Sequence, residues 1–267
     1  MRTLSLMLLW SVVAKVAFPG TAAEMNFPAI RPVARTHANS RIAHEQLVEK
    51  AKRGGIDVYF TGDSITRRWG AADPQYRELL INWTTNFFGW NAANFGWGTD
   101  RNENILWRLE NGELDGVHPK IIIILAGINN VGTDPGGNEK TTHIAAGVEA
   151  ILEACQQKAP AATIIVTAIF PRNDSMGVIP VIRRANREIA ELADGKKIRF
   201  LDINSKLADE NGKFFEGMVN TDKLHPTVKT YQVWADALKP ILTEILGPPA
   251  PTDHAPPPTG DPSATKK

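Results

Sequence analysis

Ile121-Ile-Ile-Ile-Leu125 decides the fold class, because five apolar residues in a row carry no polar interruption. A strand exposed on one face would alternate apolar and polar residues. An unbroken β-branched run suits a strand covered on both faces, as in a parallel sheet between two helical layers. Similar runs occur at Ile56–Thr61, Asn91–Phe95, Thr163–Ile169 and Ile198–Ile203. Helical patterns separate them at Thr66–Leu80, Arg101–Glu110, Thr141–Lys158 and Val181–Ala193, and a last one spans Val228–Leu246. Asp100 with Glu103 three residues later reads as a capping box for the Arg101 helix. This alternation predicts a three-layer α/β/α sandwich around a mainly parallel five-stranded sheet. No internal repeat is present.

The chain has 267 residues, long enough for one sizeable core. Its net charge of +1, with 43% hydrophobic and 22% charged residues, gives no electrostatic case for a nucleic-acid partner. Arg2, the apolar run Leu4–Val13 and the small residues Thr21-Ala22-Ala23 read as a secretory signal peptide cut after Ala23. Lys15 shortens the apolar stretch, which argues against a membrane-spanning anchor. The expected location is secreted or periplasmic, without stable membrane association after cleavage. Residues 24–246 are expected to form a single folded domain, opening on an extended lead-in at Asn26–His37. Residues 247–267, with seven prolines and almost no large apolar side chain, are expected to be a disordered tail. Cys155 is the only cysteine and lies on the apolar face of a helical pattern with Ile144, Val148, Ile151 and Leu152, so a buried structural thiol is expected. No Cys/His cluster has metal-ligand spacing, and neither a metal nor any other cofactor is expected.

Ligands of an open parallel sheet bind at the carboxyl ends of its strands. Gly62-Asp63-Ser64, Asn94-Phe95-Gly96 and Gly127-Ile128-Asn129 each follow a strand candidate and so share one rim. Ser64 could simply cap a helix. Combined with the other motifs it reads as a nucleophile, although Thr66 rules out a G-x-S-x-G elbow. Asp63 reads as a turn buttress. Gly96 at a strand end could present an unhindered N–H, and Asn129 could donate its amide to a developing negative charge. Asn130 reads as a loop-capping residue. Asp222-Lys-Leu-His225 places an acid three residues before a base, with Pro226 opening the final helix. A nucleophile, a base, its orienting acid and two fixed donors are the parts of acyl transfer. His37, His44, His118, His143 and His254 lack such a setting and read as structural or solvent-facing.

These residues resemble the GDSL, or SGNH, hydrolases. Gly62-Asp63-Ser64-Ile65 is similar to their first block, Gly96 to the second, Gly127-Ile128-Asn129 to the third and Asp222-x-x-His225 to the fifth. Asn94-Phe-Gly-Trp-Gly-Thr-Asp-Arg101 and Leu106–Leu114 are similar to the catalytic subunits of brain-type platelet-activating-factor acetylhydrolase and their bacterial relatives. The resemblance spans about residues 56–245. It implies a flavodoxin-like fold and metal-free serine esterase chemistry, with an oxyanion hole from the Ser64 and Gly96 N–H groups and the Asn129 side chain. Asn130 stands where most of the family has Asp.

Trp69 and Trp97, close in sequence to Ser64 and Gly96, are candidate substrate-binding platforms, with core packing as the alternative. Short connections and no lid-like insertion predict a shallow site for a small acyl group. An acetylated carbohydrate such as acetyl xylan ranks first as partner. A general short-chain ester or a lysophospholipid-type substrate is the alternative, and a non-catalytic carbohydrate-binding protein is a third reading.

Overall fold

In the computed structural model, which describes residues 30–263, the strands β1 (Val58–Gly62), β2 (Ala92–Asn94), β3 (Ile121–Leu125), β4 (Thr163–Thr167) and β5 (Ile198–Leu201) form one sheet. Its order is β2-β1-β3-β4-β5 and every pairing is parallel. The chain therefore steps outward from β1 to β2, then crosses back to β3 on the other side of β1. Such a reversal opens a crevice at the carboxyl ends of the two central strands. β1 and β3 are buried along their whole length, as the unbroken apolar run predicts.

Helices cover both faces: α1 (Ala38–Lys52), α2 (Ser64–Trp69), α3 (Arg77–Phe87), α4 (Asn102–Arg108), α5 (Ile128–Val131), α6 (Asn138–Lys158), α7 (Ile179–Glu191), α8 (Asn204–Leu207) and α9 (Val228–Leu246). The three-layer parallel architecture is as the sequence predicts. One long helix was expected over Thr66–Leu80; instead α2 ends at Trp69, and Pro74 opens a short 3-10 turn before α3. α1 follows the lead-in and buries Ala43, Leu47 and Ala51. The expected Asp100 cap is not used. α4 starts one residue later, where Asn104 Oδ1 accepts the Arg101 N–H, and Asp100 faces Arg108 instead. Cys155 is fully buried, and burial pushes its thiol up to about 12.

The tail is where the sequence reading fails most clearly. Residues 248–263 are not free but run back over the domain as a strap. Ala250 N–H donates to Gly89 O at 2.9 Å, the Gly89 N–H to Asp253 at 2.7 Å and the His254 N–H to Asn91 Oδ1 at 2.7 Å. Farther on, Ala72 N–H reaches Thr259 O, Asp261 N–H reaches Asp73, and Asn39 donates to Asp261. The apolar poverty of the tail is real, but polar anchors hold it in place of a core. The segment read as a signal peptide lies outside the described residues, among which no helix is long and apolar enough to cross a membrane.

Candidate active site

Ser64 stands at the first turn of α2, directly after β1. Gly62 is required before it: a Cβ there would lie 2.3 Å from the Leu125 carbonyl oxygen of β3. Asp63 caps α2 by accepting the Ile65 N–H at 2.8 Å, the buttress expected of it, and burial pushes its carboxyl up to about 7. This tight handover leaves Ser64 partly exposed at the rim.

His225 arrives from the loop ahead of α9. That loop is closed on itself by Asn220 N–H to His225 O at 2.9 Å, and Asn173 N–H ties it to Lys223 O at 2.7 Å. Ser64 Oγ lies 2.9 Å from His225 Nε2, and His225 Nδ1 lies 2.7 Å from Asp222 Oδ2. Asp222 Oδ1 also accepts the Leu224 and His225 N–H groups. Against a partial burial that opposes it, these hydrogen bonds hold the Asp222 carboxyl down at about 2. Burial and the nearby Arg68 guanidinium lower the His225 pKa below its ordinary value, with Asp222 pulling the other way. The imidazole is thus neutral at neutral pH, with one nitrogen turned to a carboxylate and the other to a hydroxyl. That arrangement can accept a proton from Ser64.

Asn129, at the start of α5, reaches the same rim after β3. Its Nδ2 donates to Asp100 O at 2.8 Å, which leaves the second amide hydrogen of the group uncommitted. Asn130 is a capping residue: its Oδ1 accepts the Asn102 N–H at the start of α4, and its Nδ2 donates to Glu103.

Gly96 does not fill the place expected of it. Its N–H donates to Asn94 Oδ1 at 2.8 Å within its own loop and is buried. The glycine is needed for packing, since a Cβ would come within 2.6 Å of the Arg67 nitrogen and 2.9 Å of Thr66 Cβ on α2. The next N–H, of Trp97, is bonded to Gly62 O at 3.0 Å, and that of Asp100 turns back to Trp97 O. The Gly98 and Thr99 N–H groups take no part in the backbone hydrogen bonds of the loop. Thr99 adopts a left-handed φ of 62°, uncommon for a β-branched residue and a mark of functional loops.

The two tryptophans are also corrected. Trp69 is fully buried, stacked on Trp234 at 4.9 Å, with its indole N–H donated to Asn82. Trp97 is 7% exposed, donates to Ser40 and lies under the Arg67 guanidinium at 4.7 Å. Neither offers an open face to a sugar ring. Both are large aromatics beside a motif, and nothing local in the sequence distinguishes a core ring from a platform.

Arg108 is the residue that sequence reasoning missed. Wholly buried, it donates to Asp100 at 2.6 Å, to Phe95 O at 2.7 Å and to Gly62 O at 3.3 Å, and it pairs with Glu113. It thereby bolts the ends of β1 and β2 together beneath Ser64, and links them to the segment that Asn129 grips. The two nearby acids that a buried guanidinium needs, Asp100 and Glu113, were the available signal. Beside Asn129 an open cleft of about 410 Å³ is lined mainly by polar residues, including Arg101, Glu103, Thr133, Asp134 and Lys140, with Val131 and Ile144 adding an apolar part. Among the described residues no group of three or more His, Cys, Asp and Glu side chains could hold a metal ion.

The sequence pattern of the GDSL-like lipase/acylhydrolase family matches residues 60–233, which contain every one of these rim residues. The chain belongs to that family. It is 30% identical over 210 residues to the human platelet-activating factor acetylhydrolase IB subunit alpha2, covering 76% of this chain and 83% of that one. In fold it is similar to a GDSL-like lipase from Bacteroides thetaiotaomicron (TM-score 0.59, 18% identity, covering 78% of this chain and 98% of that one). It is likewise similar to an acetyl-xylooligosaccharide esterase from Geobacillus Stearmophilus (TM-score 0.55, 18% identity, covering 71% and 94%). Membership of this acylhydrolase family makes ester hydrolysis the reaction class to be explained.

Proposed function

We propose that this GDSL-family protein is a serine esterase that removes acetyl groups from a polar acceptor, foremost an acetylated carbohydrate. The observation that carries the reaction type is the unbroken line from Ser64 Oγ to His225 Nε2 and from His225 Nδ1 to Asp222. Ser64 attacks the ester carbonyl while His225 takes its proton. Asp222 holds the imidazole and stabilises its cation. The negative charge on the carbonyl oxygen is met by the Ser64 N–H, the uncommitted amide hydrogen of Asn129 and, in place of Gly96, the Thr99 N–H. His225 then returns the proton to the leaving alcohol. Water enters by the same route in reverse and frees acetate from Ser64.

The cleft beside Asn129 supports a polar acceptor. Its charged and hydroxyl-bearing lining suits a sugar hydroxyl better than a lipid tail. The acetyl group in the names of the human acetylhydrolase relative and the Geobacillus neighbour supports a small acyl group. Export, suggested by residues 1–23, would bring such an enzyme to polysaccharide. A phospholipid acetyl ester is the second reading, favoured by the relative's name alone. The test compares acetate release from acetylated xylan with hydrolysis of aryl esters of increasing chain length and of a 2-acetyl glycerophospholipid. Turnover confined to the phospholipid would overturn the carbohydrate assignment. Absence of fluorophosphonate labelling at Ser64 would overturn the esterase assignment.

A further inference from the structure

Thr99 sits in a backbone conformation that a β-branched side chain resists, with φ of 62°, at an exposed position where no core packing can enforce it. The lead-in segment ahead of α1 supplies the restraint. Arg35 donates from one guanidinium nitrogen to Thr99 O at 3.2 Å and from the other to Thr99 Oγ1 at 2.7 Å. The Thr99 hydroxyl donates onward to Gly98 O at 2.6 Å. The segment that carries Arg35 is anchored two residues earlier, where Val33 N–H donates to Glu103 O and Asn104 Nδ2 donates to Val33 O, both at 2.9 Å. In a trans peptide the C=O and N–H point in opposite directions. A hydroxyl that holds Gly98 O therefore also aims the Thr99 N–H away from Arg35. One residue on, Asp100 O is gripped by Asn129.

We infer that Arg35 is a positioning residue which, through the Thr99 hydroxyl, fixes the Gly98–Thr99 peptide so that its N–H is a preorganised donor to the oxyanion. This rests on the acyl-transfer reading of Ser64. Donors of this kind act because they need no reorganisation when charge develops. Loosening the peptide should therefore slow chemistry and leave ground-state binding alone.

The test uses the full chain and an aryl acetate, with Arg35→Ala, Arg35→Lys, Thr99→Gly and the Arg35→Ala/Thr99→Gly double variant. Arg35→Ala should lower kcat by ~10-fold, a fraction of the ~10²–10³ that follows outright loss of a donor, with KM unchanged. Affinity for an aryl boronic acid, whose serine adduct is an anionic tetrahedron, should fall in parallel. Arg35→Lys, which can meet one acceptor but not the fork, should fall between the wild type and alanine. Glycine enters the left-handed region without strain, so adding Arg35→Ala to Thr99→Gly should change kcat by less than about 2-fold. Wild-type kcat in Arg35→Ala would overturn the proposal, as would a change in KM alone or a full ~10-fold loss in the Thr99→Gly background. Should Arg35→Ala fold poorly, Arg35→Lys decides, and wild-type kcat there overturns it. Ser64→Ala run alongside separates the two readings: if it stays active, the esterase assignment itself has failed, whatever Arg35 does.

Discussion

The guanidinium of Arg68 stands 3.6 Å from Asp222 Oδ2, the same oxygen that meets His225 Nδ1 at 2.7 Å. Two cationic groups thus share one carboxylate oxygen when the imidazole is protonated. Burial and Arg68 both disfavour that protonation, while Asp222 favours it, and the net effect lowers the His225 pKa. A lowered histidine pKa keeps the base neutral farther into acid. The acid limb of kcat/KM should therefore lie below the ordinary histidine value of about 6.5. Arg68→Gln removes one opposing charge, so the imidazolium becomes easier to form and the limb should move to higher pH. A pH–rate profile of both proteins checks this. A limb that stays put, or moves down, would remove Arg68 from the electrostatics of the base.

Ser64, His225 and Asp222 should behave as a unit. Ser64→Ala or His225→Ala should each reduce kcat by up to ~10⁶, because either change removes the nucleophile–base pair. Asp222→Ala should cost less, on the order of 10⁴, since the imidazole keeps its place in a loop tied down at Asn220 and Asn173. Active-site titration with a fluorophosphonate alongside kcat distinguishes lost chemistry from lost protein. Near-native turnover in a folded Ser64→Ala enzyme would end the assignment.

Asn129 is expected to act on the transition state. One amide hydrogen already holds Asp100 O, and the other is offered to the rim. Asn129→Ala should lower kcat by ~10²–10³, about 3–4 kcal/mol, with KM little changed. Asn129→Asp keeps the shape but places acceptors where donors are needed, so it should be no better than alanine. A rise in KM at constant kcat would instead make Asn129 a ground-state contact.

What could be read in the chain, and what could not, follows the range of the forces involved. The apolar runs announced β1 and β3 because burial on both faces leaves a local signature, and Gly62-Asp63-Ser64 announced the handover because a tight turn needs those residues. α1 gave no such signal. Its buried face is only Ala43, Leu47, Ala51 and small or polar neighbours, among them Lys50, whose ammonium is buried to reach Asn94 O and is brought down to about 7 by that burial. Gly96 was legible as a glycine that must be there, but not as one whose N–H is engaged by Asn94, because the packing of α2 against it is set from afar. Thr99 carries no glycine to advertise a left-handed turn, and its restraint comes from Arg35, 64 residues away in the chain.

Composition reads residues 247–267 as disordered, since they cannot bury enough apolar surface to order themselves, yet residues 248–263 lie against the domain. Their order comes instead from contacts with Gly89, Asn91, Ala72 and Asp73, made at positions fixed by the domain. Each such hydrogen bond contributes roughly 0.5–1.5 kcal/mol net, and ordering the segment offsets part of that. Truncation after Gly247 should therefore destabilise the domain by about 2 kcal/mol. Thermal melting would register the loss, and hydrogen exchange should speed up at Gly89 and Ala72, whose N–H groups the strap covers. A truncated protein that melts with the full chain and exchanges at the same rate would show the composition reading to be right and the strap to be idle.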